Sequence, residues 1–216
     1  MLPISGQWAA SLADAVSGRV NPSGKLPYSI PVRLQDNGAH AFGVECYPGV
    51  ESESGDVLFG ACAPQQRYEE DILVGYRWHD TKKIPARYAF GHGLSYTTFA
   101  YGKPVLSAKE MNADSGSLTV TVPVTNTGKR AGAEVVQLYV GDDKASVLRP
   151  VKELKGFEKI SLAPGETRDV TFTVTPDMLA FFDADAHAWR SEPGRFTLYI
   201  GGSSDNVPAK IAFNLK

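Results

Sequence analysis

An alternation of apolar and polar residues dominates the second half of the chain. In residues 118–125 the even positions are Leu or Val and the odd positions are Thr or Pro, the two-residue period of a half-buried β-strand. The same period recurs at 136–140, 170–174, 196–200 and 211–215. With further strands near Val105 and over 154–160, the pattern predicts about seven strands, as in an immunoglobulin-like β-sandwich.

A four-residue spacing predicts a short helix near the start of the chain. Trp8, Leu12 and Val16 recur at this interval among alanines, and Gly18 follows as a stop signal. A helix of this length is marginal in isolation, so its apolar stripe is expected to pack on another part of the molecule. The turn-forming residues 21–27 then lead into a predicted short strand.

The stretch between the helix and the sandwich has no sustained period. Gly and Pro interrupt every apolar run from 32 to 67, which favours an ordered loop with little secondary structure. The run 68–80 has a β-rich apolar centre and is expected to be extended, and 90–99 begins with two glycines around a histidine. We therefore predict an α+β fragment over residues 1–100, joined to an all-β domain over residues 101–216.

Composition excludes several classes of partner. The 216 residues carry a formal net charge of -2, which gives no electrostatic reason to expect nucleic acid or an anionic membrane as a partner. Hydrophobic residues make up 43% of the chain, as in soluble globular proteins, and no run of apolar residues is long enough to predict a membrane span. The first residues lack the basic and apolar regions of a signal peptide, so none is expected in this chain.

Two cysteines leave two interpretations open. Cys46 and Cys62 flank a loop rich in Gly, Ser and Glu. They form either a disulfide that closes this loop in an oxidising compartment or two unrelated free thiols. The four histidines have no metal-ligand spacing and the cysteines form no CxxC pair, so no metal site is predicted.

Four segments together carry a family resemblance. Residues 21–27 read Asn-Pro-Ser-Gly-Lys-Leu-Pro, 68–80 contain Glu-Asp-Ile-Leu-Val-Gly-Tyr-Arg, and 90–97 read Phe-Gly-His-Gly-Leu-Ser-Tyr-Thr. Followed by the predicted sandwich, they resemble the C-terminal part of family 3 glycoside hydrolases, the β-glucosidase and β-xylosidase family. The resemblance implies that residues 1–100 are the tail of an α/β sandwich domain. It further implies that residues 101–216 form a seven-stranded fibronectin type III-like domain.

The resemblance also implies a function. In this family the nucleophile is an aspartate of an N-terminal barrel, and the acid/base is typically a glutamate upstream of the segment corresponding to residues 21–27. The chain is thus expected to provide scaffold and domain interface to a retaining β-glucosidase-like hydrolase that removes terminal β-D-glucosyl or related residues. No catalytic residue and no cofactor are expected in it.

The partners implied by the resemblance are a protein and a sugar. The protein is the upstream barrel and α/β sandwich portion of the same enzyme, present either as missing sequence or as a second chain. The sugar is an oligosaccharide or aryl β-glycoside substrate. The cysteine pair and the frequent export of the family indicate a periplasmic or secreted location.

A few residues in the run 68–80 are candidates for contact with a sugar. Glu69, Glu70 and Asp71 are consecutive, and consecutive positions of an extended segment point to alternating faces, so they are expected to be solvated or to pair at an interface rather than form a catalytic couple. Arg77 and Trp78 combine an aromatic plane with hydrogen-bond donors and are candidate substrate-binding residues. Alternatively they pack a domain interface, with Arg77 paired to a carboxylate.

A function of a different class also fits a β-sandwich. Exposed aromatic side chains on such a domain can bind polysaccharide, so the alternative is a non-catalytic carbohydrate-binding or adhesion module. Within the sandwich, Phe157 is expected to fill the core and Trp189 to lie in a loop that covers one end.

Overall fold

The structure, a computed structural model, describes residues 8–51, 57–58, 61–62, 64–114 and 116–216. Side chains are described for the same residues except 8, 57–58 and 61–62. The segments before the sandwich contain short elements: α1 Trp8–Val16, β1 Ile30–Pro31, a 3-10 turn Leu34–Asp36, α2 Gly38–Ala41, β2 Val50–Glu51, β3 Val57–Leu58, β4 Ala61–Cys62, β5 Pro64–Gln65, α3 Tyr76–Lys82 and β6 Ala86–Tyr88.

Helix α1 forms where the four-residue spacing predicts it, but the expected packing of its apolar stripe is not observed, because Leu12 and Val16 are 46% and 74% exposed. The described residues between 32 and 67 have the low content of regular structure expected of that region. The strands β2 to β5 are two residues each and pair locally as β2 with β5 and β3 with β4. Strand β1 pairs with β6, and this contact joins the early turn to the segment after α3.

The prediction of an extended segment at 68–80 is wrong, because turns occupy its first half and a helix its second. Residues 69–72 form turns, and α3 begins immediately after Gly75, whose φ of 61° lies in the left-handed region. The apolar centre at 72–74 is typical of a strand, but only Leu73 of the three is buried. Burial of Trp78 and His79 on the helix outweighs the β-propensity of the residues before it.

The remainder of the chain forms the sandwich. Its elements are β7 Phe99–Tyr101, β8 Val105–Leu106, β9 Glu110–Met111, β10 Leu118–Asn126, β11 Gly132–Asp142, β12 Glu153–Leu162, β13 Thr167–Val174, α4 Pro176–Leu179, β14 Phe181–Asp183, β15 Ala188–Arg190, β16 Gly194–Gly201 and β17 Ala209–Leu215. One sheet has the order β13-β10-β7, with β8 also paired to β10, and the other has the order β12-β11-β16-β17-β9. All of these pairings are antiparallel except that of β17 with β9.

The expected fold class is confirmed. Strands β7 and β8 pair with successive parts of β10 and act as one strand interrupted at residues 102–104. Counted in this way over the described residues, the two sheets hold the seven expected strands and the short β9. Strand β7 begins two residues before the boundary expected at residue 101, and the division into two domains itself remains a prediction.

The core lies between the two sheets and follows the sequence alternation. Along β10 the even positions from Leu118 to Val124 are buried while the odd threonines between them are only partly covered. On the facing sheet, Phe196 and Phe213 are fully buried and stack with ring centroids 5.9 Å apart. Burying side chains of this size contributes about 1.5–3 kcal/mol each, so this core is the main stabilising feature of the fold.

Two predictions about aromatic residues in the sandwich are wrong. Phe157 is 69% exposed, because on β12 the even positions Ile160 and Leu162 face the core and the odd positions face outward. Trp189 lies on β15 rather than in a loop, and it is 72% exposed.

Strand β11 is buried on both faces. Val136, Leu138 and Val140 point into the sandwich core. On the opposite face, Gln137 and Tyr139 are also buried, because the segments that precede the sandwich cover this side of the sheet. The outer face of β11 is therefore the contact surface between the sandwich and the earlier segments, and this contact is called the junction.

Candidate functional site

Backbone hydrogen bonds join the two glycine-containing segments of the family resemblance. The N–H of Leu26 donates to the carbonyl of His92, and the N–H of Gly91 donates to the carbonyl of Leu26, both at 2.8 Å. A Cβ at Gly93 would lie 2.5 Å from the carbonyl oxygen of Gly24, so the close approach of the two segments requires glycine there. Residues 21–27 and 90–97 thus form one structural unit.

This unit borders an open surface cleft of about 500 Å³. Apolar and aromatic side chains form most of its wall, among them those of Leu26, Ile30, Tyr88 and Leu94, with Lys25 at its edge. His92 packs against Tyr88 with ring centroids 4.9 Å apart. Among the described residues that line the cleft there is no carboxylate.

Asn21 anchors the unit to the sandwich. Its Oδ1 accepts from the N–H of Tyr96 at 2.8 Å and from the hydroxyl of Ser95 at 3.0 Å, and its Nδ2 donates to the carbonyl of Ala131 at 2.9 Å. The hydroxyl of Tyr96 donates to the carbonyl of Ala15, which holds the end of α1. One amide thereby connects the early turn, the glycine segment and the start of β11.

A half-buried ion pair provides a second anchor. The ammonium of Lys25 lies 2.9 Å from Oε1 of Glu134 on β11, and the hydroxyl of Tyr101 donates to the same oxygen at 3.2 Å. Burial, followed by the neighbouring charge of Glu134, raises the pKa of Tyr101, so its phenol stays protonated and remains a donor.

Helix α3 covers the edge of the second sheet. The N–H of Val151 donates to the hydroxyl oxygen of Thr81 at 3.1 Å, and the N–H of Leu154 donates to the hydroxyl oxygen of Tyr76 at 2.8 Å. The ammonium of Lys152 donates to the carboxylate of Asp80 at 2.7 Å. Burial raises the pKa of Asp80, and the hydrogen bond and charge of Lys152 oppose that shift. These contacts occupy backbone donors at the start of the edge strand β12 and just before it, which would otherwise be free to pair with another chain.

A polar network lies beneath the glycine segment. The amide of Gln137 donates to the carbonyl of Gly202 at 2.7 Å, and the hydroxyl of Tyr139 donates to Oε1 of Gln137. Burial raises the pKa of Tyr139. Tyr76 packs edge-on against Tyr139, with ring centroids 5.8 Å apart. Gln137 and Tyr139 alternate with the core residues of β11, which are Val136, Leu138 and Val140. The large aromatic side chain of Tyr139 on the outer face is the sequence signal that this face is covered as well.

The two predicted substrate-binding residues lie on α3 and point into different surroundings. Trp78 is buried, and its indole N–H donates to the carbonyl of Asp36 at 3.1 Å. Arg77 is partly exposed, and its guanidinium lies 3.3 Å from the carboxylate of Glu153. These contacts correspond to the packing alternative left open by the sequence. The assignment of the two residues to substrate binding remains a prediction.

The acidic run at 69–71 does not present a facing pair of carboxylates. Glu70 is buried, whereas Glu69 and Asp71 are exposed. Asp71 has a φ of 54°, so the backbone turns sharply between it and its neighbours. The Oε2 atom of Glu70 has no hydrogen-bond partner within the described part of the chain.

The cysteine pairing is not tested by the structure. Cys46 is buried and forms no disulfide among the described residues, but the side chain of Cys62 lies outside them, so the bridge remains a prediction. In the described ranges, no helix has the length and apolar character that a membrane crossing demands. Nor do the described His, Cys, Asp and Glu residues form a group of three that could hold a metal ion.

Comparisons with known proteins agree with the resemblance read from the sequence. The family model for the fibronectin type III-like domain matches residues 134–204. Beta-glucosidase BoGH3A from Bacteroides ovatus is 53% identical over 203 residues, which are 94% of this chain and 25% of that protein. The beta-glucosidase of Rhizobium radiobacter is 44% identical over 205 residues, 95% of this chain and 23% of its own length.

Solved structures give the same result. DesR, a beta-glucosidase from Streptomyces venezuelae in complex with D-glucose, superposes with a TM-score of 0.82 at 37% identity, covering 97% of this chain and 25% of that one. The chain spans about a quarter of the length of each of these relatives.

Proposed function

The chain is the C-terminal portion of a family 3 glycoside hydrolase, and we propose that it supplies the scaffold and domain interface of a β-glucosidase whose nucleophile and acid/base lie outside it. The proposed reaction is hydrolysis of terminal β-D-glucosyl or related residues with retention of configuration. The substrate is an oligosaccharide or an aryl β-glycoside.

One observation carries this proposal. The cleft lined by Leu26, Ile30 and Leu94 contains no carboxylate among its described lining residues. In the neighbouring cleft, which the same segments line, the carboxylate of Glu134 accepts from Lys25 and Tyr101 as a structural anion. Retaining hydrolysis requires a nucleophile and an acid/base held roughly 5–5.5 Å apart across the glycosidic bond. We therefore assign the catalytic couple to the upstream barrel and α/β sandwich portion, present as further sequence or as a second chain.

Exposed apolar side chains before the sandwich support a role at a domain interface. Val16 at the end of α1, Tyr68 and Val74 before α3, and Leu94 in the glycine segment are each more than 60% exposed. Leaving such side chains in water costs free energy that burial would recover. We assign this surface to contact with the upstream portion of the same enzyme.

The proposal can be tested with a chimera. The C-terminal quarter of Beta-glucosidase BoGH3A is replaced by this chain, and release of the aryl group from an aryl β-glucoside is measured. The chimera is expected to hydrolyse the substrate, because this chain restores the interface that the Bacteroides ovatus enzyme lost with its C-terminal quarter.

Two controls accompany the chimera. This chain alone and the truncated Bacteroides ovatus enzyme alone are each expected to be inactive. Hydrolysis by this chain alone would show that the catalytic groups are misplaced in this proposal, and an inactive but folded chimera would argue against the scaffold role.

A further inference from the structure

A separate cleft of about 440 Å³ lies between α3 and the hairpin formed by β14 and β15. This volume falls within the roughly 300–1,000 Å³ of typical small-molecule sites. One wall is aromatic and comes from the hairpin, and the floor is charged and comes from β12 and α3. The residues used below are Arg77, Arg149, Glu153, Lys155, Phe182 and Trp189.

The aromatic wall is a cross-strand pair. Phe182 and Trp189 are direct partners in the hairpin, and their rings meet edge to face with centroids 5.7 Å apart. They are 51% and 72% exposed, although exposed aromatic surface of this size is costly in a monomer. Folding of the sandwich does not account for a tryptophan in this position.

The hairpin holds these rings in place. Oδ1 of Asp183 accepts from the N–H groups of Asp185 and Ala186, both at 3.1 Å, which fixes the turn. The guanidinium of Arg190 lies 3.3 Å from the same carboxylate group. The aromatic wall is therefore preorganised, and a ligand would lose little affinity to ordering it.

The floor of the cleft offers hydrogen-bond donors. The carboxylate of Glu153 accepts from Arg149 at 3.0 Å, and Arg77 and Lys155 lie 3.3 and 3.6 Å from it. Lys155 has three N–H groups. Within the described part of the chain, its ion pair is the 3.6 Å contact with Glu153, which leaves N–H groups for a ligand. Arg77, whose side chain is 38% exposed, likewise keeps donors for a ligand.

The charges around the cleft balance one another. The lining holds three cations, Arg77, Arg149 and Lys155, and two carboxylates, Asp71 and Glu153. A third carboxylate, that of Asp142, lies outside the lining, 3.7 Å from Arg149, and offsets its charge. A site without net charge does not attract an ionic ligand by its field. An aromatic plane beside unused donors suits a neutral polyhydroxylated ligand, because the C–H face of a pyranose stacks on the ring while its hydroxyls accept from the floor.

The cleft is suited to binding and not to hydrolysis. Asp71 and Glu153 both line it, but a glycosidase needs one carboxyl with a raised pKa to act as general acid. Burial raises the pKa of Glu153, and the hydrogen bond from Arg149 with the charges of Lys155 and Arg77 outweighs this and lowers it overall. Glu153 thus stays ionised as a structural anion.

We propose that this cleft binds a neutral oligosaccharide, with one sugar ring stacked on Trp189 and its hydroxyl groups accepting hydrogen bonds from Arg77 and Lys155. The proposal concerns binding by this chain and does not depend on its role in a hydrolase. It assigns a function to the exposed aromatic hairpin, which is not part of the surface assigned above to contact with the upstream portion.

The test is a titration of this chain followed by NMR. Cellotetraose, laminaritetraose, xylotetraose and maltotetraose are added separately at millimolar concentration to ¹⁵N-labelled chain. The indole N–H signals of its three tryptophans are recorded and assigned with Trp189→Phe. At least one of the tetrasaccharides is expected to shift the Trp189 signal and to leave that of the buried Trp78 unchanged.

Variants distinguish the cleft from other surfaces. Trp189→Ala is expected to weaken binding by at least about tenfold and Trp189→Tyr by less, since a smaller aromatic ring still stacks. Arg77→Ala is expected to weaken it several-fold. Phe157→Ala removes another exposed aromatic of the sandwich that does not line the cleft, and it should bind as the parent does.

Thermal melting of each variant confirms that it is folded. The proposal is overturned if no tetrasaccharide shifts the Trp189 signal, or if Trp189→Ala binds as tightly as the parent chain.

Discussion

The ammonium of Lys152, the residue immediately before β12, lies 2.7 Å from the carboxylate of Asp80 on α3, and both side chains are largely buried. The pair connects a helix of the earlier segments to the edge of the sandwich. Taking both charges out of water is costly, and the short contact offsets that cost only while both partners are present. The junction therefore depends on the pair being complete.

A double-mutant cycle on this pair is expected to show strong coupling. Lys152→Met and Asp80→Asn should each cost about 3–5 kcal/mol of unfolding free energy, because each leaves one buried group without its partner. The double variant should cost clearly less than the sum. Urea denaturation of the four proteins measures this, and additive effects would contradict the coupling. Removing the exposed pair of Lys216 and Glu110 serves as the control and should change little.

Glu153 is expected to make stability depend on pH in the acid range. Its pKa in the folded chain is lowered from the ordinary value of 4.5, so its contribution to stability is present above that value. The contribution is lost as the pH falls through the lowered folded pKa. Glu153→Gln should therefore cost roughly 3 kcal/mol at neutral pH, and the difference from the parent should shrink on acidification.

Denaturation curves from neutral pH down to about pH 3 measure this difference. Glu158→Gln alters an exposed carboxyl on the same strand and provides the control, which should change stability little. A Glu153→Gln deficit that stays constant across the acid range would argue against the assignment.

Gly91 is expected to tolerate no side chain. Its φ is 81°, and a Cβ there would lie 2.5 Å from the amide nitrogen of the buried Gln137. Gly91→Ala should cost about 2–4 kcal/mol, from the left-handed backbone together with displacement of the Gln137 amide. Gly165→Ala is the matched control, since its φ is 74° and no atom lies within 4 Å of the new Cβ.

The control isolates the cost of the backbone conformation, which is about 1–2 kcal/mol. Equal losses of unfolding free energy for the two variants would show that the contact with Gln137 is unimportant.

Asn126 is expected to be the most sensitive asparagine of the sandwich. Its buried side chain accepts from the hydroxyl of Thr97 at 2.6 Å and donates to the carbonyls of Arg130 and Leu162 at 2.8 and 3.0 Å. Asn126→Ala leaves these buried groups unpaired and should cost about 2–4 kcal/mol. Asn214→Ala, at an exposed strand position, should change the midpoint of denaturation little. Similar losses for the two variants would contradict this role.

The sequence predicts the sandwich well because its strands have one buried face. The valines of β10 and the paired phenylalanines of β16 and β17 follow the two-residue period of strands that have one face in the core and the other face less buried. The prediction for Phe157 is wrong because an aromatic residue in a strand suggests burial, whereas its odd position on β12 places it outward. The position in the alternation was the better guide.

The junction was only partly predictable. The sequence identifies the segments at 21–27 and 90–97 as parts of one resemblance. No local pattern predicts that they hydrogen-bond to each other through Leu26 and His92. The sequence does not predict helix α3, because tertiary contacts and not its own periodicity decide its conformation. Trp78 packs against Phe42 of the earlier segments, and Tyr76 and Asp80 contact the sandwich. The cleft beside Trp189 combines residues distant in sequence, and no local pattern brings Arg77 next to that hairpin.

The burial of β11 on both faces has a consequence for how this architecture can be modified. A gene fusion or recombination that kept the sandwich but replaced the preceding hundred residues would leave Gln137 and Tyr139 facing water or a foreign surface. Any new neighbour would have to leave room for their polar network and offer an aromatic contact like that of Tyr76. The two halves are therefore expected to be inherited and exchanged as one unit.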